Sequence, residues 1–383
     1  EGRDNSLLIE ISQALKSLAS EDALTKDGRA KVEGLCLKLE QELRPDENKV
    51  KQKANKLSIN EDLYLRLREE KRLLYLDELN STSTPSPATH KAEDCAIILY
   101  TSGTTGRSKG AMLSHTNIVS NIQAASKQFR LDSRIHTLSF LPINHVFEQV
   151  CGVLLPLSLG GKVSFAESIK KLGDNLREIK PSFLLGVPAV YRLLYDRIMK
   201  NINNKTVSRI LFNLPIGRKI VQLQVQKIFG KDTTFVSGGA ALDPQVAAGF
   251  SNLGLILLQG YGITETAPVI AAETPDCRKA GTVGVPLEGV EIRIDNPNGE
   301  GAGEIQVRGP NVMLGYYKNK QATDEVLKDD WYSTGDLGAI DAEGLLSICG
   351  RVKNLIVTPN GKNVYPEEVE NQLLNSPFIA EIV

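Results

Sequence analysis

The chain has 383 residues, a net charge of −1, and 41% hydrophobic against 24% charged residues, enough material for two or three domains with ordinary cores. That balance speaks against nucleic-acid partners and against any general pull toward anionic membranes. The five cysteines (Cys36, Cys95, Cys151, Cys277, Cys349) form no C-x-x-C pair, which argues against a disulfide framework or zinc site and for a reducing, cytoplasmic setting.

Residues 1–80 hold 15 Lys/Arg and 17 Asp/Glu but only three of the 32 glycines, and they read as a charged helical segment. Leu7, Ile11, Leu15 and Leu18 recur at helical spacing, as do Val32, Leu35, Leu39 and Leu43, and a third amphipathic stretch runs around Leu63–Leu76. Lys49, Lys51, Lys53 and Lys56 make a basic patch that reads as a solvated helix face, with peripheral membrane contact as the alternative. Residues 81–91, rich in Ser, Thr and Pro, read as a linker. The opening Glu-Gly-Arg, without an initiator Met, reads as a piece of a longer protein.

From Asp94 the texture is α/β. Short apolar runs at Cys95–Tyr100, His136–Leu141, Phe183–Val187, Thr234–Ser237 and Leu255–Leu258 predict strands. They alternate with predicted helices at Thr116–Phe129, Val190–Lys200 and Gln245–Asn252. After about residue 280, Gly-rich turns separate short strands at Val290–Asp295, Gly303–Arg308, Leu345–Ile348 and Leu355–Val357, a smaller β-rich region.

The strongest local signal is Tyr100-Thr-Ser-Gly-Thr-Thr-Gly-Arg-Ser-Lys-Gly110. A strand feeds a loop whose Gly103 and Gly106 free the backbone to turn its N–H groups toward an anion. Thr101, Ser102, Thr104 and Thr105 supply hydroxyls and Lys109 a positive charge, a set suited to a di- or triphosphate. It is not a Walker A loop, because Gly110 rather than Ser or Thr follows Lys109.

The run resembles the signature loop of adenylate-forming (AMP-binding) enzymes, and five further motifs follow in family order. Phe140-Leu-Pro-Ile-Asn-His145-Val-Phe-Glu is similar to the carboxylate-pocket motif in its long-chain fatty acyl-CoA synthetase form. Val236-Ser-Gly-Gly-Ala-Ala241 resembles the adenine-side loop, with Gly238, Gly239 and Ala240 beside the base. In Gln259-Gly-Tyr-Gly-Ile-Thr-Glu-Thr266 the resemblance implies adenine stacking by Tyr261 between Gly260 and Gly262, an α-phosphate contact for Thr264 and Mg²⁺ binding by Glu265. Trp331-Tyr-Ser-Thr-Gly-Asp336-Leu-Gly and Gly350-Arg-Val-Lys-Asn resemble the ribose and hinge motifs, which implies Asp336 and Arg351 at the ribose and Lys353 at the pivot.

The resemblance implies a large N-terminal domain of stacked α/β subdomains plus a small β-rich subdomain, here a core over 92–351. Residues 352–383 would be the hinge and the start of an α+β C-terminal domain, whose late catalytic lysine lies outside this sequence. It also implies an acid–thiol ligase using ATP, Mg²⁺ and coenzyme A, with Thr264, Glu265 and Lys109 in catalytic roles. The acyl group would lie at His145, Gly238 and Gly260. Carrier-protein acylation, arrest at acyl-AMP, and a non-catalytic nucleotide- or acyl-binding module stand as alternatives.

Overall fold

The computed structural model describes residues 65–66, 89–101, 108–357 and 363–373. The chain divides into two units, Glu1–Ala88 and Thr89–Val383, and all but two described residues belong to the second. The helical spacings at 7–18 and 32–43, the basic patch at 49–56 and the loop residues Ser102–Gly106 lie outside the described residues.

In chain order, β1 (Cys95–Thr101) turns back into β2 (Lys109–Ser114), and α1 (His115–Gln128) follows at once. Then come β3 (His136–Ser139), a π-helix (Phe147–Leu154), β4 (Lys162–Phe165), α2 (Leu172–Ile179) and β5 (Phe183–Gly186). Three helices precede β6 (Thr234–Ser237): α3 (Pro188–Asn203), α4 (Thr206–Asn213) and α5 (Pro215–Phe229). After α6 (Pro244–Asn252) come β7 (Ile256–Gly262), β8 (Val269–Ala272) and β9 (Val285–Pro286). The remainder is chiefly β: β10 (Glu291–Asp295), β11 (Gly303–Arg308), β12 (Gly315–Tyr316), β13 (Leu327–Lys328), β14 (Trp331–Ile340) and β15 (Leu346–Arg351). A hairpin of β16 (Ile356–Val357) and β17 (Asn363–Val364) and a last helix, α7 (Pro366–Leu373), end it.

The main sheet has the order β4-β3-β5-β6-β7-β8-β9. Its first five strands are parallel and the last two antiparallel. Side chains alternate across it as strand geometry requires. Phe183, Leu185, Val236 and Leu258 point into one core with α1 and the π-helix. Leu184, Phe235 and Leu257 point into the other, with α3, α5 and α6. There Tyr191 packs edge-on against Phe235 and Phe250 and its hydroxyl donates to the Leu184 and Val236 carbonyls. Burial on both faces explains why these strands read as continuous apolar runs.

Three findings differ from the sequence reading. First, β1 is not a buried strand feeding a helix. It is partly exposed and forms an antiparallel hairpin with β2, Thr101 facing Lys109 across the Gly/Ser/Thr loop. Second, β7 runs on to Gly262 because β8 pairs with it, although two glycines make that stretch look like a loop. Third, the Leu355–Val357 segment joins a separate two-stranded hairpin rather than the five-stranded antiparallel sheet of β10, β11, β13, β14 and β15.

Candidate active site

The C-terminal ends of parallel strands are where open α/β sheets place ligands. A cavity of about 180 Å³ opens there, lined by residues that include His145, Phe147, Gly238, Gly239, Gly260, Tyr261, Gly262 and Thr264. Seven of the expected positions thus come together although the sequence spreads them over 120 residues. His145 is exposed at the mouth. Ala240 is exposed and is not part of the lining.

Local packing explains the glycines. A Cβ on Gly238 would stand 3.1 Å from the Phe147 ring, and one on Gly262 would overlap the Pro268 carbonyl. Gly239 has φ +81°, a left-handed conformation that favours glycine. Gly260 is different, since a Cβ there would meet nothing nearer than 3.8 Å.

The inner cavity is apolar. Phe129, Phe183, Leu185, Val236, Cys151 and Leu155 form it, and the sequence reading assigned none of them a role. One wall is the π-helix, whose wide turn shows in the Leu155 amide donating to the Val150 carbonyl five residues back. Burial pushes the Cys151 thiol up to about 12, so it serves as a small apolar wall residue. Behind the wall, Glu148 is 2% exposed and its Oε1 has no hydrogen-bond partner. Burial raises its carboxyl to about 7, against weaker opposing contacts from Ser139 and the Phe140 backbone.

Beside the cavity, the Tyr261 hydroxyl donates to Asp336 Oδ2 at 2.7 Å. Arg351 Nε lies 3.1 Å from Asp336 Oδ1, because β14 and β15 place Asp336 opposite Arg351. Burial, then the neighbouring carboxylate, pushes the Tyr261 phenol well above the usual tyrosine range. Tyr261, Asp336 and Arg351 therefore act as one connected group between the main sheet and the five-stranded sheet.

Glu265 follows on a short 3₁₀ turn (Thr264–Thr266) and is buried. Its Oε1 accepts from the Tyr316 hydroxyl at 2.8 Å. Lys109 Nζ lies 5.0 Å from the centre of the Tyr316 ring, within cation–π range. The turn is held from outside. Asn121 Nδ2 donates to the Val269 carbonyl at 2.7 Å, Asn311 Nδ2 to the Thr266 carbonyl at 3.1 Å, and the Met313 amide to the Glu265 carbonyl at 2.9 Å. Thr101 sits at the hairpin end, and Lys353 lies exposed in the turn after β15, outside the cavity lining.

The donor set suits a magnesium nucleotide. Among the described residues no three His, Cys, Asp or Glu side chains cluster as a closed metal site. Mg²⁺ commonly takes one or two carboxylates and completes its shell with water and substrate phosphate, and the single Glu265 carboxylate fits that pattern. No helix among the described residues is long and apolar enough to cross a membrane.

Comparison with known proteins agrees with this arrangement. The AMP-binding enzyme family matches residues 7–317, so the match takes in nearly all of the charged N-terminal segment. A chloroplastic long-chain-fatty-acid–[acyl-carrier-protein] ligase of Arabidopsis thaliana is 31% identical over 360 residues, covering 76% of this chain and 49% of the relative. A long-chain-fatty-acid–CoA ligase of Mycobacterium bovis is 34% identical over 322 residues, covering 76% and 52%. ATP-bound MatB of Rhodopseudomonas palustris superposes with a TM-score of 0.62 at 32% identity, covering 75% of this chain and 54% of that one. The chain spans about half the length of the curated relatives it matches. With an α/β sheet that gathers the ordered motifs at its C-terminal edge, the chain belongs to the AMP-binding enzyme family.

Proposed function

We propose that this chain carries the carboxylate-activating site of an AMP-forming ligase for long-chain fatty acids, with a thiol, coenzyme A, as the final acceptor. The observation that carries the reading is the apolar cavity, which runs inward from the glycine loops and is walled by Phe129, Phe183, Leu185 and Leu155. Each methylene buried there contributes about 0.8 kcal/mol, so the site rewards a long hydrocarbon tail.

In this reading the fatty carboxylate lies at the His145 end of the cavity, with Gly238 and Gly260 leaving room beside it. An oxygen of the carboxylate attacks the α-phosphorus of ATP, giving acyl-AMP and pyrophosphate. Tyr261, with Gly238, Gly239, Ala240 and Gly262 around it, packs against the adenine, and Asp336 and Arg351 hold the ribose. Thr264 and the hydroxyls of Thr101, Ser102, Thr104 and Thr105 position the phosphates, with Gly103 and Gly106 freeing the loop backbone. Lys109 offsets charge on the leaving pyrophosphate. Mg²⁺, held by Glu265, would supply further charge neutralisation on the phosphates. The thiol then displaces AMP from the mixed anhydride after rotation about the hinge near Lys353.

The similarity to the Arabidopsis carrier-protein ligase supports a second acceptor, the thiol of an acyl carrier protein. Cytoplasmic location and peripheral contact with a bilayer that supplies the acid belong to the same reading, and sedimentation with vesicles tests the contact. Fatty-acid-dependent ATP–pyrophosphate exchange tests the adenylation. Exchange with palmitate or oleate and not with acetate is expected. ATP binding without exchange for any carboxylate would replace the ligase with a nucleotide-binding module.

A further inference from the structure

The small sheet places two charged residues of the site on either side of one phenol. β12 pairs with β2 so that Tyr316 faces Ala111, two residues from Lys109. The Tyr317 amide donates to the Gly110 carbonyl at 2.7 Å and the Leu314 amide to the Met112 carbonyl at 2.9 Å. Tyr316 is 6% exposed. Its ring lies under the Lys109 ammonium and its hydroxyl donates to Glu265 Oε1. The buried Tyr332 phenol lies beside the same hydroxyl. Upstream, Asn117 Nδ2 donates to the carbonyls of Pro310 and Val312 at 2.7 and 2.8 Å. The segment carrying Tyr316 is thereby pinned to α1, while Met313 and Asn311 pin it to the Glu265 turn.

We propose that Tyr316 is a positioning residue that fixes the Glu265 carboxylate and the Lys109 ammonium relative to one another. This rests on the reading of Glu265 as the magnesium-side acid and Lys109 as the phosphate-side cation. The hydroxyl orients the acid and the ring seats the cation, so the two halves of Tyr316 have separable effects.

The test measures equilibrium ATP binding to the whole chain by calorimetry, with and without Mg²⁺, for wild type, Tyr316→Phe, Tyr316→Leu and Glu265→Gln. Tyr316→Phe keeps the ring and removes only the hydroxyl. It should bind metal-free ATP like wild type and lose about tenfold of the Mg²⁺-dependent gain, the size of one hydrogen bond to a charged group. Tyr316→Leu should also weaken metal-free binding, because Lys109 loses its seat. Thermal unfolding of the Phe variant within a degree or two of wild type separates positioning from general destabilisation.

If Glu265→Gln abolishes the Mg²⁺ effect while Tyr316→Phe leaves it whole, the positioning role is overturned and the metal assignment stands. If Glu265→Gln also leaves the effect whole, the assignment of Glu265 is wrong and the proposal falls with it. A wild-type chain that binds no ATP overturns both.

Discussion

Asp336 is gripped from two sides, by the Tyr261 hydroxyl and by Arg351, and in the proposed reading it also holds the ribose. Asp336→Asn should raise the ATP concentration for half-maximal pyrophosphate exchange roughly tenfold or more, since a hydrogen bond to a charged group is worth about 1.5–3 kcal/mol. Arg351 is 54% exposed, so loss of the ion pair itself should cost little stability. An unchanged ATP dependence would remove Asp336 from the nucleotide site. Glu148 makes a different prediction. Its folded carboxyl titrates near 7 against an ordinary 4.5, so the folded state keeps the proton longer than the unfolded chain. The contribution of Glu148 to stability is therefore largest below pH 4.5, falls as pH rises through the window from 4.5 to about 7, and is level above it. The loss is on the order of 3 kcal/mol. Glu148→Gln should remove that slope, and urea midpoints at about pH 5 and about pH 8 should show the variant gaining on wild type as pH rises. Equal pH slopes in the two proteins would mean that Glu148 is solvated in solution.

At the scale of elements, the proposed reading makes the π-helix the wall that decides how much hydrocarbon fits. Cys151 is the small residue of its cavity face. Cys151→Phe should displace two or three methylenes and cut palmitate-dependent exchange roughly ten- to fifty-fold, at about 0.8 kcal/mol each. Octanoate should be nearly unaffected. A uniform loss across chain lengths would show that the cavity does not hold the tail. The contact between α1 and the segment that follows the Glu265 turn is polar and buried. Asn121→Leu leaves the Val269 amide and carbonyl without their side-chain partner and should cost about 2–4 kcal/mol in urea unfolding. These features divide what the sequence disclosed from what it hid. Tyr261, Thr264 and Gly238 were legible because their motifs are local and ordered. Phe129 and Phe183 were not, because single apolar or aromatic residues acquire a role only when distant strands bring them together. Helices α4 and α5 and strand β2 escaped for a similar reason, since β2 earns its pairing only from β1 and β12.

Across the whole molecule, the α/β core followed by a β-rich region was visible in the alternation of apolar runs and in the glycine spacing after residue 280. The joining of the two was not, because it depends on contacts between residues far apart in the chain, among them a tyrosine hydroxyl reaching a carboxylate 75 residues away. That link predicts coupled stiffening. AMP at saturation should slow amide exchange in β7, β14 and β15 together. Protection confined to β7 would mean that the five-stranded sheet does not take part in holding the nucleotide.

The π-helix carries a consequence for how such pockets diverge. It differs from an α-helix by one residue per turn, and each residue of an α-helix rotates the chain by about 100°. Loss of a single codon between Phe147 and Leu154 would let the tighter α winding close, with the residues on either side kept in nearly the same register. The cavity wall would lose one residue of the widened turn, with no amino acid exchanged for another. Length variation in this one turn therefore offers a lineage a discrete change in the shape of the cavity, of a kind that stepwise substitution along the same wall does not provide.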